Sequence, residues 1–488
     1  MSAILQGLEP KLVWKYFAEI VCIPRCSKHE ERMTKYVLEN AKRLGLWAKA
    51  DRVGNVVVRK PASPGKESVS SVALQGHLDM VCEKNRDKSH DFSRDPIELL
   101  RDGGLLMANG TSLGADNGIA VATNLAIMED TTLVHGPVEF LFTVDEETGL
   151  TGARRLEADL LESRTLINLD SEEEGSLYVG CSGGKDTTGS WTAPVDAAPK
   201  TFQATHLMVS GLKGGHSGLE IHQGRGNAIK IMNRALLALG AVGARLASIN
   251  GGNKRNAIPR ECEAVVYLPA NRWDSAATAI GEFEALAKAE VSTADPGLRI
   301  AFTSLKKKGG HVLKKTVQKK LSATISALPH GVIKMSADIP GLTETSTNVA
   351  TITTGKGKIE IVTSQRSLVD SEILEICHTV RSIFELGGAT MVQGDGYPGW
   401  KPNLQSPILK LAERTYKELY GKAPEIKAIH AGLECGVIGE RVPGMDMVSL
   451  GPTLEGVHSP DEKIHIESVG KYWTFLLGIL KNMTNPSH

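Results

Sequence analysis

The sequence predicts an α/β protein with a central mixed, largely parallel sheet and a smaller α+β domain inserted into it. Three observations carry this. Short apolar runs at Val72–Gln75, Val138–Thr143, Thr165–Leu169 and Met445–Leu450 each lie near a helical pattern, and strands alternating with helices mark a largely parallel sheet. The middle of the chain reads differently, with a small, polar stretch followed by two strand–helix alternations over 201 to about 395. The length of 488 residues suits more than one domain at about 100–200 residues each. We therefore expect residues 1–186 and 396–488 to form one discontinuous domain, and 187–395 an inserted lid.

In chain order, the first clear helix is expected over 27–44. Ser27 with Glu30 reads as a capping box. Met33, Val37, Ala41 and Leu44 share one face, and Gly45 supplies the stop. The small, polar, Pro-containing stretch near 187–200 reads as a linker or an outer strand. Beyond it, strands are expected at 204–210, Cys262–Leu268, Ala350–Thr353 and Lys358–Thr363, with helices after Gly226 and at 273–290 and 370–386. Residues 296–337 hold nine basic side chains and no acidic one, including Lys306, Lys307 and Lys308, and read as a solvated face.

Composition excludes several classes. Lys plus Arg equals Asp plus Glu at 56 each, against the basic excess of nucleic-acid and membrane-surface binders. No apolar run is long enough to span a bilayer, and the N-terminal residues do not read as a secretion signal. The seven cysteines include no Cys-x-x-Cys pair, so neither a thiolate zinc site nor a disulfide framework is expected. A reducing cytoplasm fits these features. Without a Gly-x-Gly-x-x-Gly or a Gly-Lys-Ser/Thr loop after a strand, nucleotide chemistry is disfavoured.

The chemistry lies in a recurring position. His77-Leu78-Asp79, Asp145-Glu146-Glu147, Asp170 and His458 each follow a predicted strand, and Asp116 precedes the apolar helix Ile119–Met128. Ligands of open α/β sheets collect at the carboxyl ends of the strands. Taken singly, each group also reads as an ordinary turn or hydrogen-bonded pair; together they suggest a metal site.

In order, His77-Leu78-Asp79, Gly114-Ala115-Asp116-Asn117-Gly118, Glu146-Glu147, Asp170-Ser171-Glu172 and Gly456-Val457-His458-Ser459 resemble the di-zinc exopeptidases of the aminoacylase and carnosinase group. The likeness is greatest to its dipeptidase branch, through Gly214-Gly215-His216-Ser217-Gly218, Arg255-Asn256-Ala257-Ile258-Pro259 and His430-Ala431-Gly432-Leu433-Glu434. It runs from about residue 10 to about 480. The resemblance implies a zinc-exopeptidase-like catalytic domain and an inserted lid that also forms a homodimer. It implies two divalent ions, zinc with cobalt or manganese able to substitute. Asp116 would bridge them, His77 and Asp170 would complete one site, and Glu147 and His458 the other. Glu146 would be the general base, Asp79 would orient His77, and His216 would donate to the developing oxyanion. Asn256, Arg366 and Gly432 would hold substrate; without the resemblance, Arg366 reads as a surface residue. A cis peptide between Asp116 and Asn117 is also implied.

The expected reaction is metal-dependent hydrolysis of dipeptides with broad specificity, including Xaa-His dipeptides. An N-acyl-amino-acid deacylase or amidase of the same fold is the alternative, because the same ligands serve any amide hydrolysis. A metal-binding protein without catalysis should lack the free carboxylate at 146, which is present here.

Overall fold

The computed structural model describes residues 3–306 and 309–485. It divides into two compact units. One runs to Gly180 and resumes over Pro402–Ala428 and from Leu433 on; the other comprises Cys181–Lys401 and Ile429–Gly432. The second unit thus begins six residues before the expected boundary at 187 and ends six after the expected 395. It also takes His430, Ala431 and Gly432, which the sequence reading assigned to the first.

The first unit is built on an eight-stranded sheet. Its centre is four parallel strands in the spatial order Val138–Thr143, Val72–His77, Thr165–Asn168 and Asp446–Ser449. Every residue of Val72–His77 and Val138–Thr143 is buried, so these strands are covered on both faces rather than alternating. Val56–Lys60 and Trp47–Ala50 extend the sheet antiparallel on one side. The helix Ala115–Glu129 is buried along nearly its whole length. It approaches the His77 strand so closely that a Cβ on Gly76 would lie 2.5 Å from Asn117 Oδ1 and 2.8 Å from Ala120 Cβ.

Two local expectations change. The second helix spans Glu31–Arg43, and Glu30, at its N-cap, makes no side-chain cap. Its carboxylate instead accepts from the N–H groups of Lys28 and Asp145 at 2.8 and 2.9 Å. No capping box forms, because Glu30 is committed to the loop that carries the 145–147 acids. Met33, Val37 and Ala41 are buried as expected while Leu44 is half-buried, and Gly45 turns the chain at φ 68°. The cysteine expectation also fails: Cys26 and Cys82 are joined by a disulfide, 56 residues apart in sequence with Cα atoms 5.7 Å apart. The Met80 N–H donates to the Arg25 carbonyl at 3.1 Å, which aligns the two loops. A tertiary pairing of this kind leaves no trace in cysteine spacing.

The second unit is an antiparallel sheet of nine strands, with the helices Ala228–Ala241, Trp273–Val291, Lys315–Ala327 and Asp370–Leu386. Leu207, Met232, Val266, Ile280, Ile325, Ile361 and Phe384 belong to one apolar core. The stretch 187–200 divides: Val195–Ala197 is an exposed outer strand paired with His311–Leu313, but the part up to Thr192 is neither linker nor outer strand. Gly183–Thr192 runs between Lys358–Ser367 and Thr390–Gln393. Its small residues are a packing requirement, since a Cβ on Gly189 would lie 2.3 Å from the Phe384 ring. The basic stretch is solvated where described: Arg299, Lys306, Lys314, Lys315, Lys319, Lys320 and Lys334 are exposed. Lys307 and Lys308 lie outside the described residues. Among the described residues, no helix is long and apolar enough to cross a membrane.

Candidate metal centre

The four parallel strands bring their carboxyl ends to one edge of the first unit. His77 ends its strand and is 1% exposed. Its Nε2 lies 3.1 Å from Asp116 Oδ1 and 3.3 Å from Asp170 Oδ1. The other oxygen of Asp116, Oδ2, lies 3.1 Å from His458 Nε2, which is 3.0 Å from Glu147 Oε2. Two groups able to hold an ion, His77–Asp116–Asp170 and Asp116–Glu147–His458, therefore share Asp116, one carboxylate oxygen to each. Glu146 groups with His77 and Glu147.

The surrounding backbone is tightly held. Asp79 faces His77 Nδ1 at 3.3 Å and accepts from the N–H groups of Glu146 and Glu147 at 3.1 and 3.2 Å. One carboxylate thus orients both the imidazole and the acidic pair. Asp145 and His458 sit at φ 50° and 61°, a left-handed region that non-glycine residues adopt mainly where the surroundings impose it. The Asp116–Asn117 peptide is cis. Asn117 spans two strands, accepting from the His77 N–H at 3.1 Å and donating to the Leu169 carbonyl at 3.0 Å.

Charge in this edge is unbalanced. Burial raises the Glu146 carboxyl well above its ordinary range; His77 opposes this, and Asp170 and Glu147 add to it. Hydrogen bonds to Asp116 and Glu147 raise His458 to about 11. Crowded carboxylates that raise both a neighbouring acid and a neighbouring imidazole are short of positive charge. One ligand-capable atom, Glu147 Oε1, is buried without a hydrogen-bond partner. Mixed imidazole and carboxylate donors around a shared carboxylate fit a pair of divalent cations of the zinc type better than magnesium or calcium, which prefer all-oxygen shells.

The remaining candidates belong to the second unit. His216 lies in a two-residue strand paired with Ala257–Ile258, and the Asn256 carbonyl accepts from the Ser217 N–H at 2.9 Å. His216 Nδ1 accepts from the N–H groups of Gly218 and Leu219 at 3.2 and 3.0 Å. In the neutral imidazole this leaves the proton on Nε2. The Asn256 side chain is exposed. Arg366 is 7% exposed, against its reading as a surface residue, because it lies opposite Ser346 in the sheet and donates to the Tyr397 hydroxyl at 2.8 Å. Gly432 packs on the same tyrosine, where a Cβ would lie 2.9 Å from the ring.

A family model, peptidase family M20/M25/M40, matches residues 73–482. The chain belongs to this family. It is a peptidase, a hydrolase of peptide bonds. It is 43% identical to the cytosol non-specific dipeptidase of Escherichia coli over 480 residues, covering 98% of this chain and 99% of that protein. The crystal structure of aminoacylhistidine dipeptidase from Vibrio alginolyticus superimposes with a TM-score of 0.89 at 42% identity, over 98% of this chain and 97% of that one. An aminopeptidase from Bacillus cereus shares the fold, with a TM-score of 0.57 at 17% identity over 98% of this chain and all of that one.

Several residues around the centre of this M20 peptidase escaped the sequence reading. Arg25 is 2% exposed and donates to the carbonyls of Leu78 and Asp79 at 3.0 and 2.6 Å, and to that of Gly114. Glu462 accepts from four successive N–H groups, Leu113 through Asp116, at 2.6 to 3.2 Å. Arginine and glutamate thus grip the Asp116 loop through its carbonyl and amide groups. They tie it to the His77 loop and, four residues after His458, to the histidine loop. Glu434 was likewise given no role, and within the second unit neither were Tyr397 and His430. Glu434, His430 and Glu462 lie inside or beside the quoted dipeptidase-like stretches, which was the available signal. Arg25 and Tyr397 carried none, since their partners are backbone atoms or residues distant in sequence.

Proposed function

We propose that the protein is a di-metal dipeptidase of broad specificity, including Xaa-His dipeptides. The observation that carries the reading is Asp116, whose two oxygens serve two separate ligand groups. The printed names of the Escherichia coli and Vibrio alginolyticus relatives support the substrate class. His77 and Asp170 would hold one ion, Glu147 and His458 the other, and the donor set favours zinc. When bound, such ions polarise the substrate carbonyl and lower the pKa of water to about 7.

The chain's own residues then divide the work. Glu146 belongs to neither Asp116-sharing group and stays free to accept the proton of the attacking water and return it to the leaving amine. Such acid–base help is worth about 10²–10⁴-fold. Asp79 keeps His77 and the Glu146–Glu147 backbone in place. The Nε2 proton of His216 is offered to the developing oxyanion, a contact worth about 3–4 kcal/mol of barrier. Arg366 receives the substrate's free carboxylate, for which a guanidinium is well shaped, with Asn256 and Gly432 lining the substrate backbone. The second unit would act as lid and dimerisation domain, a reading that rests on the family resemblance. The cytoplasmic expectation is kept, as the Escherichia coli relative's name says of that protein.

A hydrolysis panel of dipeptides, a tripeptide and N-acetyl amino acids, run with and without added zinc, tests this. Dipeptides including Xaa-His should be cleaved in a zinc-dependent manner. Preferred cleavage of N-acetyl amino acids would instead identify the deacylase of the same fold.

A further inference from the structure

Behind the metal-facing residues lies a second set of polar side chains. Gln75 shares a strand face with His77, two residues on, since alternate strand residues point the same way. Asn168 stands two residues before Asp170, and Thr143 three before Glu146. These three, with Ser449 and Glu434, are each 0% exposed.

One continuous chain of side-chain hydrogen bonds joins them. Glu434 Oε2 accepts from Gln75 Nε2 at 2.6 Å and from the Thr143 hydroxyl at 2.6 Å. Gln75 Oε1 accepts from Asn168 Nδ2 at 2.5 Å. Asn168 Oδ1 accepts from the Ser449 hydroxyl, which lies 2.6 Å from the hydroxyl of Ser171, beside Asp170. All four parallel strands contribute one member. Gln75 and Asn168 are amides, and an amide reads its orientation from its partners. A donor at one end of the chain and an acceptor at the other give every amide a single sense, and Glu434 is the acceptor that starts it. Its second oxygen, Oε1, is buried without a partner. A buried carboxylate is expensive unless its bonds are needed.

We propose that Glu434 is a positioning residue for the peptidase reaction: by accepting from Gln75 and Thr143 it sets the polar chain that holds the strand ends of His77, Glu146 and Asp170 in register. Its hydrogen bonds go to Gln75 and Thr143, and it acts through these neighbours. The inference rests on the di-metal reading above only for which residues are being positioned.

The test compares Glu434→Gln, Glu434→Ala and Thr143→Val in the full chain. Glutamine keeps an oxygen acceptor at the same place, so E434Q should retain kcat within threefold of the native enzyme. E434A leaves the Thr143 hydroxyl without its acceptor and the Gln75 amide with only Thr143 Oγ1, 3.1 Å away. Its kcat on a dipeptide should fall at least tenfold with KM changed less than threefold. Its zinc affinity, measured by competition with a chelating dye, should fall about 10–100-fold, as when outer partners of metal ligands are removed. T143V removes one of the two donors and should show a smaller loss of the same kind; it keeps the question open to experiment if E434A does not fold. Unchanged kcat and zinc affinity in E434A or T143V would overturn the proposal. So would an E434Q as damaged as E434A, since charge rather than hydrogen bonding would then be at work. If the native chain itself binds no zinc in the dye assay, the di-metal reading fails; if it binds zinc and the variants match it, only the role of Glu434 does.

Discussion

Glu146 and Asp116 are both half-buried acids at one sheet edge, yet their partners separate them. Asp116 faces an imidazole through each oxygen, whereas Glu146 belongs to neither group that shares it. Glu146→Ala should therefore keep its metal and lose turnover, and Asp116→Ala should lose both. Metal analysis beside kinetics on the two variants decides this; an active Glu146→Ala enzyme would remove it as general base. Arg366 admits an equally specific test. A charge-assisted hydrogen bond is worth about 1.5–3 kcal/mol, so Arg366→Ala should lower kcat/KM for dipeptides by about 10–150-fold. Dipeptide amides, which lack the carboxylate, should be poor substrates already and lose little more. Equal losses on both substrates would show that Arg366 does not read the carboxylate. At this scale the sequence was legible where a motif carries its own chemistry, as in His77-Leu78-Asp79 or Glu146-Glu147. It was silent on Arg25, which binds three carbonyls, because any residue type can supply a carbonyl.

Strands and helices were readable from apolar runs, and the four central strands lie within a residue or two of their expected positions. Errors arose where an element's composition answers a tertiary demand. Gly183–Thr192 looks like a linker because Gly189 must lie under the Phe384 ring. Gly189→Val should consequently be severely destabilising, by at least about 1–3 kcal/mol, as overpacking is in other cores; a melting temperature unchanged by the substitution would contradict this packing. The helix starts at Glu31 rather than 27 because the Glu30 carboxylate accepts from the Asp145 N–H rather than capping the helix. The loop pair 25–26 and 80–82 offers a simpler check. The denatured, unreduced protein should titrate as five thiols, at Cys22, Cys181, Cys262, Cys377 and Cys435, and rise to seven on reduction. Seven thiols before reduction would mean that the Cys26–Cys82 bond is absent.

For the whole molecule, metal and stability are linked. All the groups able to hold an ion among the described residues lie in the first unit. A ligand bound only to the native state stabilises it by about 2.7 kcal/mol at a hundred times its Kd. Excess zinc should thus raise the unfolding transition of the first unit, and a chelator should lower it, while the second unit's transition stays in place. Two transitions that both ignore the chelator would mean that the edge holds no metal.

The sequence by itself determined the α/β class, the four central strands, the family and the identity of the candidate ligands. These are encoded locally: a buried strand needs a run of apolar side chains, and a ligand needs a particular functional group just past its end. Only the tertiary structure decided that Asp116 divides its oxygens between His77 and His458, that Glu462 gathers the amides of residues 113–116, and that Glu434 closes a polar chain across four strands. Those facts depend on atoms brought within about 3 Å from positions far apart in sequence, and no local pattern in the chain specifies such a meeting.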